Sequence, residues 1–180
     1  MRQFTVVLVL GAAGLLCACV SSAFADGLRD NDPGNVRQVP RPGVPVPEAD
    51  RKDLQEGLAR LEKALKPLLA SKSASVQELL PDVLIYHRAV RDALTYNEFF
   101  SAADVRKAHE LLATGVGRAD ELTAGRAPWT RQTGLVVRGY VSKIDRTVQP
   151  YGLVIPASYD FDASRRHRLD IWFHGRGETL

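Results

Sequence analysis

Apolar positions along this chain change period three times, and each change marks a different kind of structure. Phe4 to Val20 is an almost unbroken apolar run behind the cationic Arg2, followed by Ala23-Phe24-Ala25. A positive start, a short apolar stretch and a small-x-small step form the three parts of a secretory leader. Residues 1–25 are therefore expected to be a signal peptide cleaved before Asp26. Residues 26–48 hold Pro33, Pro40, Pro42, Pro45 and Pro47 with Gly34 and Gly43 and few large apolar side chains. Such a stretch is expected to be an extended, exposed linker, because proline fixes φ and removes backbone donors.

Helical spacing begins at Leu54, which recurs with Leu58, Leu61 and Leu65 on one face. Glu56 with Arg60, and Glu62 with Lys66, offer i,i+4 pairs opposite that face. Pro67 is expected to end or kink this helix. Ser75-Val76-Gln77-Glu78 has the form of a capping box, and Val76, Leu79, Leu80, Val83, His87, Val90 and Leu94 continue at helical spacing around Pro81. Ser101-Ala102-Ala103-Asp104 predicts another helix start, with Gly115 as its stop, and 118–124 predicts a shorter helix closed by Gly125. The helical region as a whole is 49–127.

After Pro128-Trp129 the period falls to two. Residues 134–144 alternate as a strand, 145–150 read as a turn, and 151–155 as a returning strand. After a polar loop over 156–166, the run Leu169-Asp170-Ile171-Trp172-Phe173 is apolar on nearly both faces, the pattern of a central strand in a covered sheet.

Composition narrows the function classes. Cleavage before Asp26 removes one of the 24 basic residues and none of the 21 acidic ones, leaving a net charge of +2. Both signs are interspersed, so nucleic acid is not an expected partner. Both cysteines, Cys17 and Cys19, fall in the leader, so the exported chain has no disulfide. Leu16-Cys17-Ala18-Cys19 partly matches a lipobox, and the alternative fate is a lipoprotein anchored through Cys19. Otherwise no stable membrane span remains after cleavage, and the location is periplasmic or extracellular.

His174-Gly175-Arg176-Gly177-Glu178 directly follows the last apolar run. Acyl transfer needs backbone N–H groups aimed at a developing oxyanion, and glycines let a loop present them closely. The stretch from Gly134 onward resembles the opening of secreted α/β-hydrolases of the prolyl oligopeptidase-like peptidase and esterase group. The resemblance rests on Gly139-Tyr140-Val141-Ser142 with Asp145, on Gln149-Pro150-Tyr151-Gly152-Leu153-Val154-Ile155-Pro156, and on Leu169 through Gly177. Asn97-Glu98-Phe99-Phe100, Arg118-Ala119 and Pro128-Trp129 are similar to the helical lead-in of some bacterial members.

That resemblance implies an α/β fold, a helical region followed by the first strands of an incomplete α/β-hydrolase sheet over 134–180, acting on ester or peptide substrates once completed. It makes Gly175, Arg176 and Gly177 candidate oxyanion donors through their amides, with His174 shaping the loop. The family's Gly-x-Ser-x-Gly elbow is absent from the sequence, and in that fold serine, acid and histidine all follow the oxyanion strand. The chain alone is therefore expected to be inactive, with no cofactor and no metal. The alternative reading is an exported, non-catalytic helical binding or interaction module.

Other partial motifs read as structure. His109-Glu110 lacks the second histidine of a zincin helix, since Ala113 stands there. Gly115-x-Gly117 and Gly175-x-Gly177 lack the third glycine of a dinucleotide fingerprint. Asp160 and Asp162 are expected to be turn residues, and His87 a core or boundary histidine on the apolar helix face.

Overall fold

A computed structural model describes residues 42–162 and 166–173. The expected leader 1–25, the cysteines within it, most of the linker (26–41) and the glycine loop with His174, Gly175, Arg176 and Gly177 lie outside the described residues.

Among the described residues four helices come first: α1 (Glu48–Ala70), α2 (Ala74–Leu79), α3 (Pro81–Tyr96) and α4 (Ala102–Thr123). The leucine stripe of α1 is buried as its spacing predicts, through Leu54, Leu61, Leu65 and Leu68. Pro67 does not end the helix, which continues to Ala70. The proline is exposed, while Leu65 and Leu68 on either side of it are anchored in the core and hold the last turn. Its side-chain pairs also differ from the expected i,i+4 set: Glu62 reaches across to His87, with Oε1 2.9 Å from Nε2.

The capping box at Ser75 does not form. Helix α2 starts at Ala74, and the Ser75 hydroxyl is engaged by that of Ser73 at 2.9 Å. Gln77 has another task, donating from Nε2 to the Ser71 and Leu68 carbonyls at 2.8 and 3.3 Å and so covering the open end of α1. Pro81 opens α3, a position where a missing N–H costs nothing.

The predicted break at Gly115 is absent, and α4 is a single helix. Its start is the expected one: Ser101 accepts from the Asp104 amide, and Asp104 Oδ2 accepts from the Ser101 amide at 2.9 Å. Gly115 is buried where a Cβ would stand 2.9 Å from both Leu61 Cδ2 and Tyr86 Cβ. The missing side chain serves the close approach of α1 and α3 to α4, and helical propensity yields to packing there. Gly125, at φ +74°, closes the segment as expected.

Past a 3₁₀ turn at Pro128–Arg131, β1 (Gly134–Val141) and β2 (Val148–Ile155) pair antiparallel, with Val136 opposite Leu153 and Arg138 opposite Tyr151. The chain is thus a mixed α/β structure, helices followed by a two-stranded sheet. Val136 is buried, and Val148, Leu153 and Ile155 pack against the helical core. The opposite face is open, with Leu135 and Val154, a cross-strand pair, 75% and 81% exposed.

The expected third strand does not form. Residues 169–173 pair with neither β-strand, and Trp172 and Phe173 are 89% and 88% exposed. A strand apolar on both faces needs neighbours and covering helices, and the described residues supply none on that side. The end of the proline segment departs from expectation in the opposite sense: Val46 is buried, and the Val44 amide donates to the Phe99 carbonyl at 2.6 Å.

Candidate functional site

The glycine-loop amides expected to act on an oxyanion lie outside the described residues. The most developed polar arrangement centres on Asp82, in the first turn of α3. Its carboxylate is 1% exposed and surrounded by α3, α4, the 3₁₀ turn and β1. Oδ2 accepts from Trp129 Nε1 at 2.9 Å and from Arg138 Nε at 2.7 Å, while Oδ1 accepts from the Gly139 amide at 2.7 Å.

A second cation completes the arrangement. Arg118 Nη1 donates to the Asp82 carbonyl at 3.1 Å and to the Val137 carbonyl at 2.9 Å. Its guanidinium lies over the rings of Tyr86 and Trp129, 5.1 and 5.0 Å from their centroids. Burial raises the Tyr86 hydroxyl above its ordinary pKa, opposed by the Arg118 charge, and burial lowers Arg118. The arginine stays charged across the working range, since its ordinary pKa is so high.

The local sequence explains why these groups meet. Asp82, Tyr86 and Val90 follow at steps of four on the buried side of α3. Gly139 brings the backbone of β1 against the start of that helix, where a Cβ would overlap the Pro81 carbonyl oxygen and lie 2.9 Å from Ile85 Cγ2. Only a residue without a side chain lets its amide reach Asp82 so closely. Arg88 adds a second tie between α3 and the hairpin, donating to the Val148 carbonyl.

Chemically this is a clamp. With three donors on its nearly inaccessible carboxylate, Asp82 ties the 3₁₀ turn and β1 to the start of α3. His87 is half-buried at the edge of the helical layer, as its spacing suggests, and is held by Glu62. His109 and Glu110 stand on α4, with Glu110 paired to Lys107 at 3.0 Å. Asp162 accepts from Arg131 at 2.6 Å, and its amide donates to Asp160 Oδ1 at 2.9 Å, which fits the turn reading of both acids. Among the described residues no group of three or more metal-ligating side chains is found, and no helix is long and apolar enough to cross a membrane.

Three members of the clamp, Arg118, Trp129 and Gly139, fall in segments that carry the family resemblance; its centre, Asp82, does not. The signal for Asp82 was an acid placed on the apolar stripe, four residues before Tyr86 and eight before Val90. Compared with protein-family models, curated proteins and solved structures, the chain matches none.

Proposed function

We propose that this chain is the N-terminal part of an exported serine hydrolase of ester or peptide bonds, with its nucleophile supplied by sequence beyond Leu180. The observation that carries this reading is the junction at 166–173. A hairpin docked on helices is followed by an apolar, uncovered segment, and that segment runs into Gly175-Arg176-Gly177. Side chains such as Ile171, Trp172 and Phe173 gain most when covered on both sides, which a larger sheet with flanking helices provides.

In the completed enzyme a serine attacks the carbonyl and a histidine takes its proton. The amides of Gly175, Arg176 and Gly177 receive the negative charge that develops on oxygen. The helical layer and the Asp82 clamp fix the hairpin from which the oxyanion segment departs.

A serine-directed fluorophosphonate probe is expected to leave the 180-residue chain unlabelled and to label a longer form at a Gly-x-Ser-x-Gly serine. Labelling of the present chain, or a coding sequence that continues without the elbow, would remove the assignment. Export is tested separately: N-terminal sequencing of secreted material should begin at Asp26, and a lipid-modified Cys19 would place the protein on a membrane instead.

A second reading, an exported interaction module, is favoured by the closed helical core, where Leu54, Leu61, Val83 and Val90 are essentially inaccessible. Hydrogen exchange separates the two. The hydrolase reading expects fast exchange over 169–173 in the monomer, and cooperative protection there would favour the module.

A further inference from the structure

A cleft of about 940 Å³ lies between the hairpin and residues 156–162 and 166–169, and it shares Trp129 and Arg138 with the clamp. Its volume falls at the upper end of the range that holds small-molecule ligands. Val136, Leu153 and Ile155 form its apolar wall, with Trp129 at the base. Tyr159 stands opposite, edge-on to Phe161 at 4.8 Å and tilted against His167 at 4.7 Å.

Charge around this cleft is one-sided. Among the described residues, Arg138, Arg166, His167 and Arg168 line it, and no aspartate or glutamate does. Two of the three arginines are already matched, Arg138 by Asp82 and Arg168 by Asp170 at 2.7 Å. Among the described residues Arg166 has no acidic partner, and it is left with the His167 ring N–H to meet an incoming group. An apolar and aromatic pocket rimmed by an arginine and a histidine N–H donor is complementary to a flat apolar body ending in a negative charge.

We propose that this cleft is a binding site for a planar aromatic carboxylate. The ring system lies between the Leu153–Ile155 wall and Tyr159, and the carboxylate is received by Arg166 and His167. Arg138 contributes shape and residual positive field, since its Nε is committed to Asp82. None of its lining residues belongs to the glycine loop, though Arg166 to Leu169 lie in the junction on which the hydrolase reading rests, and calorimetry on the 180-residue chain tests the cleft by itself.

The test uses isothermal titration calorimetry on the full chain with 2-naphthoate and its neutral counterpart 2-naphthylmethanol. Naphthoate is expected to bind at least about 10-fold more tightly, as a charge-assisted hydrogen bond in place of a neutral one implies. Replacing Arg166 and His167 together by alanine should weaken naphthoate by about 10- to 100-fold and leave the alcohol unchanged. Tyr159→Ala should weaken both. Arg166 and His167 are exposed, so their removal leaves the core intact; unchanged helical circular dichroism confirms this for each variant. Equal affinity for acid and alcohol, indifference to the Arg166/His167 pair, or absence of saturable heat would each overturn the proposal.

Discussion

The helical layer and the hairpin are attached to one structure by different physics. Helices α1, α3 and α4 meet through leucines, valines and a buried glycine, and their association rests on apolar area and close fit. The hairpin buries only Val136 completely and turns an apolar pair, Leu135 and Val154, to solvent. What places it is polar: the Gly139 amide and the Arg138 guanidinium on Asp82, with Arg118 bridging the helix and strand carbonyls. Apolar area tolerates sliding, whereas a carboxylate with three assigned donors admits one register. The helices supply mass, and the clamp supplies position.

The sharpest way to break this division is Asp82→Ala. Arg138, Trp129 and the Gly139 amide would be left without their acceptor, at a cost of about 3–5 kcal/mol, the range for removing one partner of a buried ion pair. Urea denaturation should show the loss, and hydrogen exchange should show β1 amides released while α4 stays protected. Release of both together would mean that the two regions form one cooperative unit. Leu61→Ala attacks the other side. That leucine is fully buried and packs against Gly115 of α4, and the cavity should cost about 2–5 kcal/mol and loosen helices and hairpin alike.

Two glycines sharpen the contrast further. Gly139→Ala should destabilise by about 1–3 kcal/mol, because the added methyl meets main chain at the Pro81 carbonyl. Gly115→Ala meets side chains and gains helix propensity of about 1 kcal/mol, so its net cost should be smaller. Ser101→Ala removes the α4 cap and should cost about 1 kcal/mol, read as lower urea midpoint with unchanged slope.

The smallest effect is expected at the exposed Asp162, whose pKa is lowered by its hydrogen bond and charge interaction with Arg131. A depressed folded-state pKa gives stability that is present above the unfolded value and fades as pH falls through the folded one. The difference between wild type and Asp162→Asn should therefore disappear in acid. A difference that persists below the carboxylate range would show that the contact is not ionic.

Where a residue's role depends on its own period or its near neighbours, the sequence was readable. The leucine stripe of α1, the Ser101 cap, the Gly125 stop and the existence of the β1–β2 hairpin follow from local pattern, although its turn lies at 142–147 and not at 145–150, because cross-strand pairing of Val148 with Val141 sets where β2 begins. Misreadings arose where a distant element decided. Gly115 looked like a stop because its reason lies on α1 and α3, and Pro67 looked like a break because Leu68 is held from outside its own helix. The donors of Asp82 carry no local signal, because they are 47, 56 and 57 residues away in sequence. The run 169–173 has the composition of a strand, yet a strand exists only with a partner to pair with.

The strap at 43–46 has a mechanical consequence. The Val44 amide is bonded to the Phe99 carbonyl, Asn97 Nδ2 donates to the Gly43 carbonyl at 3.4 Å, and Val46 is inserted in the core. Asn97 itself sits in the left-handed region at φ 55°, forming the corner between α3 and α4. Tension arriving through the residues before Pro42 therefore reaches the body first at this corner, and only afterwards at the first turn of α1. Stretching by the N-terminus should show a small early yield, the peeling of a few residues, followed by a larger rupture when α1 leaves its partners.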